Sequence, residues 1–406
     1  MREFVPRLRQ DLQITPTTYQ GRRALLVRDC LGIIQNSVIL QGEALSIIGL
    51  IDGRRNVTDI KLDFIRLRGG VLVEADFVES FLSELDAALL LDGPKYRLGK
   101  ETLIASYLRE PVQKASHAGL SYPSDPAQLK VYLSSILELA RGRPFPALDG
   151  AIRALVSPHI DLETGKAIYG QVYQAASGLR PQRVLLLGTG HSLEEGLMSL
   201  TEKDFETPLG LVRTDKDFVK KLKSSGGPGV TPHDLAFRQE HSLEFQLIFL
   251  QHLFGSDFTL VPVLFGSFQP LLNRARRPQE ILGLAERLSL LGEFAEREPG
   301  RTLAVVGVDF SHIGPKFGHP ERASSLLLEA KEHDRRLIGA CLRGDAEGFW
   351  TESKKVGDRY NVCGFSSLAC LLEILPGAKG YLLDYAFWQE EETQSAVSFA
   401  GIVFTK

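Results

Sequence analysis

RVLLLGTGHS, residues 183–192, is a compact apolar run that breaks abruptly into glycine, threonine and histidine. Arg183–Leu187 is short and, after its arginine, uniformly apolar, which reads as a strand covered on both faces rather than one with a wet side. Arg153–Ser157, Thr259–Leu264 and Thr302–Val308 repeat that pattern. Helical periodicity is clearest over Glu240–Phe254, Pro278–Arg297, Arg322–Arg343 and Phe365–Leu375. The alternation predicts an α/β domain with a mainly parallel or mixed sheet flanked by helices. Three of the strands run into reactive side chains: Arg153–Ser157 into Pro158-His159, Arg183–Leu187 into Gly188-Thr189-Gly190-His191, and Thr302–Val308 into Asp309-Phe310-Ser311-His312. Open α/β sheets bind ligands beyond the carboxyl ends of their strands. A lone histidine after a strand is more often a hydrogen-bonded loop residue, but three such endings predict one shared pocket for His159, His191 and Asp309.

Asn361-Val362-Cys363-Gly364 precedes an apolar helix. A helix N-terminus favours thiolate, the metal-binding and nucleophilic form, so Cys363 is the fourth candidate; Gly364 suggests a close backbone approach. Cys30, Cys341 and Cys370 read as small buried apolar residues. Glu240-His241-Ser242-Leu243-Glu244 opens a helix with His241 and Glu244 on one side. The spacing differs from the His-Glu-x-x-His zinc motif. Capping by either glutamate is one reading; an acid or base at the pocket rim, with His312 in a similar part, is the other. His117, His233, His252, His319 and His333 read as ordinary surface or loop histidines.

The first hundred residues differ. Ala24–Asp29 and Ser37–Gln41 suggest short strands, then come an apolar helix from about Glu43 to Ile51, a second capped by Thr58 and a third capped by Asp76. Leu89–Leu91, Asp92-Gly93-Pro94 and Tyr96–Leu98 suggest a β-hairpin wing, and a linker is expected around Lys100–Pro111. These signals predict a small α+β winged-helix domain over residues 1–105, followed by the α/β domain over 109–406.

The chain has 406 residues, 44% hydrophobic and 24% charged, and a net charge of −3. That balance gives no electrostatic reason to expect nucleic acid or an anionic membrane as partner. No stretch approaches the roughly 18 apolar residues of a membrane span, and MREFVPRLRQDLQ lacks a signal-peptide core. Four scattered cysteines make no disulfide framework, so the expected compartment is a reducing cytoplasm.

Nine ordered blocks resemble the Memo family, including the members called AmmeMemoRadiSam system protein B. They are HAGLSYPSDPAQL (117–129), SPHI (157–160), LLGTGHS (186–192), TPLGLV (207–212), QEHSLEFQLIFLQ (239–251), VPVLFGSF (261–268), VDFSHIG (308–314), NVCG (361–364) and SAVSFAG (395–401). The resemblance implies a fold related to class III extradiol dioxygenases (LigB-like). It also implies a metal pocket at His159, His191, Asp309 and Cys363, with His312, His241 and Glu244 nearby, iron or copper, and a radical-SAM protein and an AMMECR-type protein as partners. Ile160-Asp161-Leu162, Ser192 and Gly307-Val308 depart from the family's usual Ala-Gly-Tyr, second histidine and Ser-Ser, changing the pocket wall. LLVRDCLG (25–32), LIDGRRNVTDI (50–60) and DFVESFLSELDAALLLDG (76–93) resemble the PqqD type of winged helix, which implies a peptide or protein ligand for the first domain.

Three functions follow as expectations. Two imidazoles and a carboxylate suit Fe(II) in dioxygenase-like redox chemistry, and a thiolate raises the appeal of Cu(I) or Zn. Cys363 would then be the fourth ligand or a redox-active neighbour. A metal-free hydrolase would use Cys363 as nucleophile, a histidine as base and Asp309 to orient it. A non-catalytic accessory protein would only bind metal or peptide.

Overall fold

In a computed structural model, which describes residues 4–34, 36–72, 74, 76–193, 195–297 and 300–406, the chain divides into two compact units, 1–109 and 110–406.

The first unit contains β1 (Leu12–Tyr19), β2 (Arg22–Asp29), β3 (Val38–Gln41), α1 (Ala44–Ile48), α2 (Val57–Leu67), α3 (Phe77–Ala87) and α4 (Pro94–Arg109). Its strands form an antiparallel sheet in chain order. Ile47, Ile60, Phe64, Val78, Leu82 and Leu85 from the first three helices pack with Val27 and Leu40 of the sheet. Asn56, rather than Thr58, caps α2, exchanging side-chain bonds with Asp59 in a capping box. Asp76 precedes α3 but makes no side-chain cap bond. The expected hairpin over 89–98 and the linker after it are corrected here. Pro94 starts a helix that runs through Tyr96–Leu98 to Arg109, because proline's fixed φ and missing N–H suit a first helical turn. Leu91 instead makes an isolated bridge with Leu8. Strand β1 has no counterpart among the expected elements; it is an edge strand that accommodates Pro16.

The second unit runs β4 (Val112–Lys114), α5 (Pro126–Glu138), β5 (Ile152–Ser157), α6 (Leu162–Ala176), β6 (Arg183–Thr189), β7 (Met198–Leu200), β8 (Asp204–Thr207), β9 (Gly210–Thr214), α7 (Lys216–Ser224), α8 (His241–Phe254), β10 (Thr259–Phe265), α9 (Ala285–Glu296), β11 (Thr302–Gly307), β12 (His312–Ile313), α10 (Ala323–Leu342), α11 (Ala346–Val356), α12 (Phe365–Ile374), β13 (Lys379–Glu390) and β14 (Ser395–Thr405). The sheet order is β12-β14-β5-β11-β6-β10-β9-β8-β4, with β13 on β14 and β7 on β10. β5, β11, β6 and β10 are parallel, and β14 and β13 add antiparallel strands beside β5. Alternate residues of the central strands face opposite ways. Val156, Leu187, Val263 and Val306 join the core under α9 and α12, while Leu155, Leu186, Leu264 and Val305 join the core under α6 and α8. The mixed α/β sheet covered on both faces is therefore present. The expected helix over 278–297 is divided into a short 3-10 turn and α9, with Gly283 at φ +89° between them. Among the described residues no helix is long and apolar enough to cross a membrane.

The order β5-β11-β6 determines where the chemistry falls. β11, the latest of the three in sequence, lies between the other two, so the ends carrying His159, Asp309 and His191 are neighbours.

Candidate metal centre

His159 follows β5 and is 3% exposed. Its Nδ1 lies 3.0 Å from the Gly307 carbonyl oxygen at the end of β11. A carbonyl only accepts, so Nδ1 carries the proton and donates, leaving Nε2 with a free lone pair. That atom lies 3.3 Å from Cys363 Sγ and 3.7 Å from Asp309 Oδ2. His191, at the end of β6, is fixed from the other side: Glu240 accepts from its Nδ1 at 3.0 Å and from its backbone N–H at 3.0 Å. The donor atoms of His159, His191 and Cys363 all lie within 4.8 Å of one another.

Asp309 stands beside that triangle as its hub. Its Oδ1 accepts the His159 backbone N–H at 3.0 Å. Its own carbonyl accepts from Cys363 Sγ at 3.4 Å and from the Gly364 N–H at 3.1 Å. A Cβ on Gly364 would sit 2.7 Å from that carbonyl oxygen, so only glycine lets the Cys363 loop come this close.

Helix α8 supplies the opposite wall. Glu240 is its N-cap, accepting from the Ser242 N–H at 2.9 Å while it holds His191. The His241 ring stacks on His191 at 4.9 Å and stands edge-on to His159 at 5.1 Å. Glu244 has little capacity left for acid–base work. It accepts from the backbone N–H groups of Ser116 and His117 at 2.8 Å each, from Ser116 Oγ at 3.0 Å and from Tyr122 Oη at 2.7 Å. It fastens the 116–122 loop across the pocket and brings the His117 ring to 5.7 Å from His241. His312 turns its Nδ1 to the Phe310 carbonyl at 2.9 Å and its ring to Phe317.

Burial and charge set the protonation states. Burial, then the neighbouring His191, lowers the His159 imidazole to about 3. Burial also works against a charged His191, but the Glu240 carboxylate outweighs it and raises that imidazole. His241 is held well below its ordinary value by burial and by His191, and His312 is lowered by burial. Burial pushes the Asp309 carboxyl up to about 6. Cys363 reverses the expectation drawn from its place before α12: burial, then the Asp309 carboxylate, holds its thiol well above the ordinary value. A cation in the triangle would reverse that balance, since a coordinated thiol is deprotonated outright.

Glu240 is both the cap of α8 and the carboxylate behind His191. His117, expected to be an ordinary loop histidine, lies in the pocket wall. His333 is fully buried rather than superficial, and Cys30 is exposed rather than buried.

Fold and cluster together define an α/β protein with a candidate metal centre at the carboxyl ends of its parallel strands. The chain belongs to the Memo family: the family model described as Memo-like protein matches residues 113–403. A MEMO1 family protein of Aquifex aeolicus is 30% identical over 388 residues, covering 93% of this chain and 95% of the relative. One from Thermus thermophilus is 28% identical, covering 83% of this chain and 95% of its own, and one from Methanopyrus kandleri is 30% identical, covering 71% and 97%. The Aquifex alignment is longer than the second unit alone, so it takes in much of the first unit, which lies outside the family model.

Proposed function

We propose that this protein holds a transition-metal ion between His159 Nε2, His191 Nε2 and Cys363 Sγ, with Asp309 at its edge, and carries out redox chemistry there on a bound substrate. The observation that carries the reading is the anchoring of both imidazoles through Nδ1, to the Gly307 carbonyl and to Glu240. Metal-ligating histidines are held in this way, with the other nitrogen turned to the ion. Iron or copper would supply one-electron and dioxygen chemistry at such a site. The donor set tempers the choice. Two imidazoles with a carboxylate suit Fe(II), whereas the thiolate, with Asp309 partly engaged by backbone N–H groups, shifts the balance toward Cu(I) or Zn. In this reading His241 and His312, both lowered toward the neutral form, would accept a proton from a substrate group.

A cysteine nucleophile is the second reading, favoured by the 3.3 Å approach of Cys363 Sγ to His159 Nε2. The proton would have to pass from a thiol held high to an imidazole held near 3, the unfavourable direction for both groups. The first unit would serve a docking role toward a radical-SAM partner, in the PqqD-like manner, with β1, the end strand of its sheet, as the strand to which a partner segment adds.

The test is elemental analysis of protein purified without oxygen, wild type beside His191→Ala. Stoichiometric iron or copper in the wild type, lost in the variant, is expected. A wild type that carries no metal even after reconstitution sinks the proposal.

A further inference from the structure

Asp334 lies on α10, fully buried, and is not one of the clustered donor groups. Three hydroxyls converge on its carboxylate: Ser311 Oγ donates to Oδ1 at 2.6 Å, and Ser398 Oγ and Tyr385 Oη donate to Oδ2 at 2.6 and 2.7 Å. Ser311 is two residues beyond Asp309. The strand pairing of this turn is already made by backbone bonds, Phe310 N–H to the Ser398 carbonyl at 2.8 Å and Ser398 N–H to the Ser311 carbonyl at 2.9 Å. A buried carboxylate is costly, and sheet pairing alone does not call for one here. What it adds is a fixed position for the turn bearing Asp309. Asp309 in turn holds His159 through its side chain and Cys363 through its carbonyl.

We propose that Asp334 is a positioning residue for the metal pocket, acting through Ser311 on the Asp309–His312 turn and so on the spacing of His159 and Cys363. The inference rests on the metal reading above. It is tested on the full chain by titration with cobalt(II), whose visible spectrum reports thiolate and imidazole ligation. Asp334→Ala and Ser311→Ala are expected to lower cobalt affinity about 10–100-fold and to change the spectrum. Asp334→Asn, which keeps an acceptor oxygen, should recover most of both. Glu373→Gln is the control, since it alters another buried carboxylate, one paired with the half-exposed Arg277 near the far end of α12. It should leave affinity and spectrum unchanged. Should Asp334→Ala fail to fold, Ser311→Ala carries the comparison. Wild-type affinity and spectrum in the Ser311 and Asp334 variants, or an equal loss in the control, overturns the inference. A wild type that takes up no cobalt overturns the metal reading itself, and this inference with it.

Discussion

Glu240 shows how much can hang on one carboxylate. It caps α8, accepts two hydrogen bonds from His191 and lies 3.6 Å from His241 Nδ1. Burial opposes its ionisation, but His191 and its hydrogen bonds win, so it is held well below the usual carboxylate range. Glu240→Gln keeps the shape but offers one acceptor oxygen where there were two. The expected outcome is metal affinity about 10–100-fold weaker with an unchanged fold, read by metal titration beside circular dichroism. Unaltered affinity would mean that His191 is placed by its backbone alone.

At the scale of elements, the pocket depends on how closely α8 presses on the sheet. A Cβ on Gly307 would collide with the Ser242 carbonyl and sit 2.8 Å from Gln246 Nε2. Gln246 itself accepts from Tyr173 Oη and donates to the Pro158 carbonyl, tying α8 to the loop that bears His159. Gly307→Ala is therefore expected to cost about 1–3 kcal/mol, measured by urea unfolding, and to move His241 away from His191. The same elements show what was legible in the sequence. Strand ends that carry His159, His191 and Asp309 could be read because apolar run, break and reactive residue are adjacent in sequence. Cys363 could be read because a glycine stands beside it. The role of Glu244 depends on partners more than a hundred residues away in the 116–122 loop, which local periodicity cannot show. Asp92-Gly93-Pro94 misled for the opposite reason: its local signal fits a turn and a helix start equally well, and the long helical run after it decides.

On the scale of the molecule, each unit has its own core. That of the first unit is tied by a buried charge network. Arg9, its side chain fully buried, pairs with Asp11 at 2.7 Å and Asp29 at 2.8 Å, while Tyr96 of α4 stacks on the guanidinium and donates to Asp11 at 3.0 Å. Removing Arg9 strands two carboxylates, so Arg9→Ala is expected to destabilise this unit by about 3–5 kcal/mol. Metal content of the second unit should be unaffected. Calorimetry and elemental analysis read the two effects. The pH dependence has a definite sign. Burial would raise the Asp11 carboxyl, but Arg9 outweighs it and the group is lowered from 3.8. Its contribution is complete above that ordinary value and is lost as pH falls through the lower folded one. Arg9→Ala should therefore bring acid unfolding of this unit to higher pH, and an unshifted acid midpoint would refute the network's role.

The placement of β11 and β14 on either side of β5 has a consequence for how the protein is made. Ala154 pairs with Ala304, and Val156 with Ile402, so the strand bearing His159 gains one lateral neighbour only when β11 emerges far later in the chain and the other only with the last strand. Contacts this distant in sequence form slowly, and His159 waits unassembled until Asp309 and Cys363, both in the last third of the chain, have been made. The pocket can therefore close only when synthesis is almost complete, so whatever it binds meets a chain that has already been made.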